Sequence, residues 1–207
     1  MQRIEATTPL PNCGGLTMAF LTRNELDAKG FLSLGDDVKV STRATLYGVS
    51  RIALGSHVRI DDFCVLSAGE GGITIGNHVH IAVMATLIGK GRIVLNDFCN
   101  ISGRVSIYSS SDDYSGESLT NPTIPDEYKK VDHRDVVLEK HVIVGAGSVI
   151  LPGVTIHEGA AVGALSLVTK DLDAFGIYSG VPAKRIKERK RDLLDLERRF
   201  LSSKTGA

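Results

Sequence analysis

Two aspartates and a histidine bracket the most polar stretch of the chain, Asp112 and Asp113 near its start and His133 near its end. A histidine oriented by a carboxylate is a common device for taking a proton from an incoming nucleophile, so His133 as base with Asp112 or Asp113 as orienter is one reading. A carboxylate acting alone is the weaker base, because its ordinary pKa is about 4. Three further histidines, His57, His78 and His141, each stand three residues after an aliphatic residue that opens a repeat. That spacing predicts a column, and imidazoles in a column suit a metal such as zinc. Phe98 holds the equivalent place between His78 and His141, however, and no metal is expected. His80 lies two residues beyond His78, on the same strand face, and is a candidate substrate contact, as is Tyr114 in the polar stretch. Cys13, Cys64 and Cys99 are odd in number and lack CxxC spacing, which indicates neither a disulfide framework nor a zinc site.

What would position these groups is a period of six. Val144, Ile150, Ile156, Val162 and Val168 fall six residues apart, and Leu138 begins the series. The same triplets recur upstream as Leu34, Val40, Leu46, then Leu54, Ile60, Leu66, then Ile75, Ile81, Leu87, then Leu95, Ile101, Ile107. Neither a helix nor a single strand repeats at six. A three-sided coil does, if each side is a short strand and a corner, with one aliphatic residue per side pointing to the axis. Each coil is then covered by the next, and the stack stabilises itself along one dimension. The residues after the aliphatic, as in "LGDD", "LGSH" and "IGNH", suit corners with unusual backbone angles. Extra residues always enter at the same corner. Between Ile107 and Leu138 they become a long insertion, 108–137, with two prolines and no period, and such loops are commonly functional.

Composition agrees with an all-β fold. The chain has 207 residues, 22 glycines and no tryptophan, which favours many short strands and tight corners. Lys+Arg and Asp+Glu both total 24, so no global charge points to nucleic acid or a membrane surface. The chain shows no targeting segment and no transmembrane-length apolar run, which suggests a cytoplasmic protein. We divide it into an N-terminal segment 1–30, a β-helix 31–170 and a C-terminal extended segment and helix 171–207. Thr22 or Asn24 could cap a short helix in the first part. Residues 184–203 are predicted helical, with Ile186, Leu193, Leu194, Leu196 and Leu201 as an imperfect apolar stripe.

The hexads together with "VGAGSVILPGVTIHEGAAVGALSLVTKD" and "SGVPAKRIKER" resemble the hexapeptide-repeat acyltransferases, over residues 30–187. The ending is most similar to the sugar O-acetyltransferase branch, which includes galactoside, maltose and surface-polysaccharide acetyltransferases. The resemblance implies a left-handed parallel β-helix of about six triangular coils carrying a long inserted loop and a C-terminal α-helix. It implies an acetyltransferase moving an acetyl group from acetyl-CoA, as co-substrate, to a hydroxyl or amino group of a sugar or nucleotide-linked sugar, in surface-polysaccharide biosynthesis. It further implies a homotrimer with active sites between adjacent tubes. The coenzyme slot would fall on Ala146 and Ala164, one coil apart, with Thr169 and Lys170 toward the pantetheine and adenine end. Lys184, Arg185 and Lys187 would supply charge for its phosphates. Where these sugar O-acetyltransferases carry a histidine, five residues after the last axial aliphatic before the loop, this chain has Asp112. Ser109–Ser111 and the cysteines lack a base and orienter, so direct attack in a ternary complex is expected. Two other readings remain: a metal-dependent hydratase of the carbonic-anhydrase-like β-helix type, and a non-catalytic assembly protein.

Overall fold

A computed structural model describes residues 19–205. The chain winds as a parallel β-helix of three flat sides. The first side stacks Ser33–Leu34, Ile52–Leu54, Ile73–Ile75, Ile93–Leu95, Val136–Leu138 and Thr155–Ile156. The second stacks Lys39–Val40, Arg59–Ile60, His80–Ile81, Asn100–Ile101, Ile143–Val144, Ala161–Val162 and Gly176–Ser179. The third runs Thr45–Tyr47, Val65–Ala68, Thr86–Gly89, Ser106–Tyr108, Val149–Ile150 and Leu167–Val168. Six coils are complete, and a seventh is present on the second side alone.

The hexad aliphatics are register partners. Leu54 pairs with Ile75 and Ile75 with Leu95 on the first side, Ile60 with Ile81 on the second, and Leu66 with Leu87 on the third. Sixteen of the eighteen are buried; Leu34 and Leu46, in the first coil, are half-buried, and among the described residues their strands pair on one side only. Helix α1, Arg23–Ala28, brings Leu26 into the same core. Its cap is Thr22, which accepts from the Glu25 N–H while the Glu25 carboxylate accepts from the Thr22 N–H.

Two expectations are corrected. The glycine after the axial aliphatic is needed less for its backbone angle than for close approach: a Cβ on Gly145 would run into the Ala164 backbone of the next coil. The left-handed angles fall instead on His57, His78, Phe98 and His141 at one corner and on Phe63, Met84 and Leu165 at another. Residues 184–188 are not helical. Lys184–Glu188 pairs antiparallel with Gly176–Ser179, because the last strand of the second side would otherwise leave its backbone groups open. Helix α2 therefore spans Asp192–Thr205.

Helix α2 lies on the tube, with Leu193 and Leu194 of the predicted stripe half-buried and Leu196 and Leu201 exposed. The ring of Phe200 meets His78 and Phe98 edge-on, at 5.2 and 6.2 Å between centroids. Glu197 accepts from His141 and Lys140. Beneath the helix, His57, His78, Phe98 and His141 form one stack with steps of 4.5, 5.0 and 5.0 Å. The histidine column predicted from spacing is thus a ladder of rings. Among the described residues no group of three or more His, Cys, Asp or Glu is placed to hold a metal ion, and no helix is long and apolar enough to cross a membrane.

Candidate active site

The insertion is anchored at both ends. Ser110–Ser111 pairs antiparallel with Asp132–His133, with Ser110 opposite His133 and Ser111 opposite Asp132. This short stem folds the loop back along the tube instead of out into solvent. Between the loop and the corner joining the third and first sides lies a cavity of about 700 Å³. Its floor is backbone: Gly48, in a left-handed conformation, lies so close to the Ala68 carbonyl that a Cβ could not fit. Its roof comes from the loop, with Asp112, Asp126, Lys129 and His133.

The cavity brings Asp112 and His133 together, though not as base and orienter. The partner of the His133 Nδ1 is the Ser110 hydroxyl, at 2.8 Å, and Ser110 Oγ also accepts from the Lys90 N–H at 2.8 Å. Asp113 is turned into its own loop, where it accepts from Ser115 and from the Ser118 N–H and hydroxyl. Those hydrogen bonds, Ser115 foremost, hold its carboxyl at about 2, so it stays an anion that braces the loop. Tyr114 is 94% exposed and does not line the cavity.

His80 lies elsewhere, on the second side. Its Nε2 meets the carboxylate of buried Asp61 at 2.9 Å and its Nδ1 faces the Asn100 side chain at 3.2 Å. Burial alone would raise Asp61, but hydrogen bonds from Arg59 and His80 outweigh it and keep that carboxyl below its usual value. The network ties three consecutive coils together.

Of the residues proposed for the coenzyme, Lys170, Lys184 and Arg185 line one groove of about 400 Å³ at the C-terminal end of the tube, and Thr169 is exposed beside it. Ala146 and Ala164 are exposed and stacked at the corner between the second and third sides, where the Leu165 N–H donates to the Ala146 carbonyl at 2.9 Å. The strand Leu167–Val168 lies between this corner and the groove.

Sequence reasoning passed over the cations of the first cavity. Arg51 donates to the Ala68 and Gly69 carbonyls, Lys90 follows the third strand of the third side, and Lys129 sits in the loop with its side chain only 12% exposed. A signal for two of them was available. Arg51 and Lys90 occupy the corner at which extra residues enter between the early coils, the corner from which the insertion also departs. Lys129 reaches the cavity only through the fold of the loop, which carries no period.

Comparison with known proteins agrees with this architecture. Residues 135–170 match the family described as bacterial transferase hexapeptide (six repeats). The dTDP-4-amino-4,6-dideoxy-D-glucose acyltransferase of Escherichia coli is 51% identical over 189 residues, 91% of this chain and 98% of that protein. AntD, an N-acyltransferase from Bacillus cereus solved in complex with dTDP and 3-hydroxybutyryl-CoA, superposes with a TM-score of 0.87 at 47% identity. The match covers 91% of this chain and 100% of AntD. A maltose O-acetyltransferase from Clostridium difficile, at 20% identity and a TM-score of 0.55 over 81% of this chain and 74% of its own, shares the fold. The chain therefore belongs to the hexapeptide-repeat acyltransferases.

Proposed function

We propose that the protein transfers an acyl group from acyl-CoA to the amino group of a nucleotide-linked amino sugar, and that Asp112 receives the proton that the amine gives up. The observation that carries this reading is the carboxylate at Asp112, in the loop-covered cavity, where the sugar O-acetyltransferases it resembles have a histidine. A hydroxyl acceptor is neutral and needs a base strong enough to draw its proton as it attacks. An amine arrives as an ammonium ion. A carboxylate attracts that ion, orients it, and takes one proton from it, which frees the lone pair with which nitrogen then attacks the thioester. Relatives that act on dTDP-4-amino-4,6-dideoxy-D-glucose or bind dTDP together with a CoA thioester support an amine acceptor on a nucleotide. The reaction is direct: nitrogen bonds to the thioester carbon, the carbon–sulfur bond breaks, and the thiol leaves with the second proton.

Within this reading His133, held by Ser110, flanks the acceptor as a hydrogen-bonding contact, and Asp113 serves the loop alone. Ala146, Ala164, Thr169, Lys170, Lys184 and Arg185 remain the proposed coenzyme path. We also propose a homotrimer, supported by the apolar residues Phe63, Met84 and Leu165 exposed along one corner. A cytoplasmic place in surface-polysaccharide synthesis fits both substrates. The test is release of free thiol from acetyl-CoA and from 3-hydroxybutyryl-CoA with dTDP-4-amino-4,6-dideoxyglucose as acceptor. Turnover is expected with at least one thioester. Turnover on simple glycosides but not on the amino-sugar nucleotide would overturn the proposal.

A further inference from the structure

We infer that Ser110 is a positioning residue: its hydroxyl donates to His133 Nδ1 and fixes the neutral imidazole as the Nε2–H tautomer, which offers the cavity a hydrogen-bond donor and no base. The inference rests on the reading of this cavity as the acceptor site and assigns what His133 gives to an acceptor bound there.

The donors settle the tautomer. The Lys90 backbone N–H can only donate, and it does so to Ser110 Oγ at 2.8 Å. The hydrogen of that hydroxyl needs an acceptor of its own, and among the described residues His133 Nδ1, at 2.8 Å, is the one it meets. A hydroxyl that donates to Nδ1 needs a lone pair there, and a neutral imidazole with its lone pair on Nδ1 carries its hydrogen on Nε2. The stem keeps the two side chains together. Ser110 and His133 are directly opposed in an antiparallel pair, where facing side chains lie on one side of the ribbon. Lys90 belongs to the preceding coil, so the tube itself holds the hydroxyl in place.

No carboxylate competes for Nδ1. A carboxylate only accepts, so it would draw the hydrogen to Nδ1 and leave Nε2 free to act as base. The aspartates that flank the stem in sequence are engaged otherwise. Asp113 is turned into its own loop, Asp132 pairs with Arg134 at 2.6 Å, and Asp135 pairs with Arg92 at 3.2 Å. Asp112 lines the cavity without a bond to His133. Nε2, which has no partner among the described residues, is therefore left as a donor to an oxygen of the acceptor. Asp112 is then the one group of this pair that takes a proton, and His133 moves none.

Nitrogen NMR of the histidine-labelled protein at about pH 9, well above the ordinary imidazole range, reads the tautomer. The chain has six histidines, and the His133 signals are those missing from His133→Gln. Nδ1 should show the shift of an unprotonated ring nitrogen and Nε2 that of an N–H. Ser110→Ala should move both toward the averaged values of a mixture, and Ser110→Thr, which keeps the hydroxyl, should restore them. In turnover, Ser110→Ala should lower kcat/KM for the acceptor about three- to tenfold, the usual weight of one neutral hydrogen bond, with acyl-CoA binding unchanged and with recovery in Ser110→Thr. His133→Gln should stay within about tenfold of wild type, because an amide N–H can replace a donor and cannot replace a base. A protonated Nδ1 in the wild type, shifts that do not change in Ser110→Ala, or a loss of about 10²-fold or more in His133→Gln would overturn the inference. The NMR experiment needs no substrate. The expected shifts without thiol release would leave the tautomer standing and remove the proposed reaction; normal thiol release with a protonated Nδ1 would do the reverse.

Discussion

Replacing Asp112 by asparagine removes a charge and little volume from a residue that is exposed at the cavity wall and whose carboxylate braces nothing else in the loop. Folding should be untouched, and the loss should appear in the reaction. A positioned base contributes about 10²–10⁴-fold, or about 3–5 kcal/mol of barrier. Much of that is the cost of finding the amine unprotonated. For an amine of pKa about 8, like an α-amino group, only about 1% is free base at pH 6, and each further pH unit raises the fraction tenfold. Wild-type enzyme holds the ammonium ion and takes its proton within the complex. Asp112→Asn must wait for amine already deprotonated in solution. The ratio of wild-type to variant kcat/KM should therefore be about 10³ at pH 6 and fall by nearly tenfold per unit until the pKa of the amine is reached. Thiol release followed from pH 6 to 9 reads this directly. A variant within threefold of wild type at pH 6, or a large ratio that stays constant with pH, would refute the role given to Asp112.

Three further predictions concern other parts of the molecule. Ala164→Leu should weaken acyl-CoA binding with the thermal midpoint unchanged, and Lys184→Ala should weaken coenzyme A more than its 3′-dephospho analogue; calorimetry with both ligands checks each. Burial alone would raise the Glu197 carboxyl, but hydrogen bonds from Lys140 and His141 outweigh it and leave it below its usual value. A carboxyl depressed on folding stabilises above its unfolded pKa of about 4.3, and that contribution is lost as pH falls through the lower folded value. The wild-type thermal midpoint should drop between neutral and strongly acidic pH by more than that of Glu197→Gln, which starts lower.

The tube was legible because its rule is local and repeated. Every coil needs an aliphatic residue at the axis, and Leu54, Ile75 and Leu95 announce one another by spacing before any contact is seen. The end of the tube was harder, because Lys184–Glu188 has the composition of an exposed helix and becomes a strand only where a sheet edge waits for it. The same limit separates the two halves of the site. Asp112 and His133 stood out by chemistry and by their places at the loop ends. That Ser110, not an aspartate, holds His133, that Asp113 braces the loop, and that Lys129 folds back over the cavity all depend on the path of an aperiodic segment.

The central claim is that the acceptor is an amine, matched to a carboxylate where the sugar O-acetyltransferases carry histidine. It is tested most directly by a matched pair of acceptors, a dTDP-linked 6-deoxyhexose bearing either an amino group or a hydroxyl at C4. With the CoA thioester saturating, mass and NMR analysis of the products identifies the bond formed. An amide on the C4 nitrogen, with the hydroxyl acceptor slower by at least a hundredfold, is the predicted result. Equal rates on the two acceptors, or an ester on another sugar hydroxyl, would contradict it.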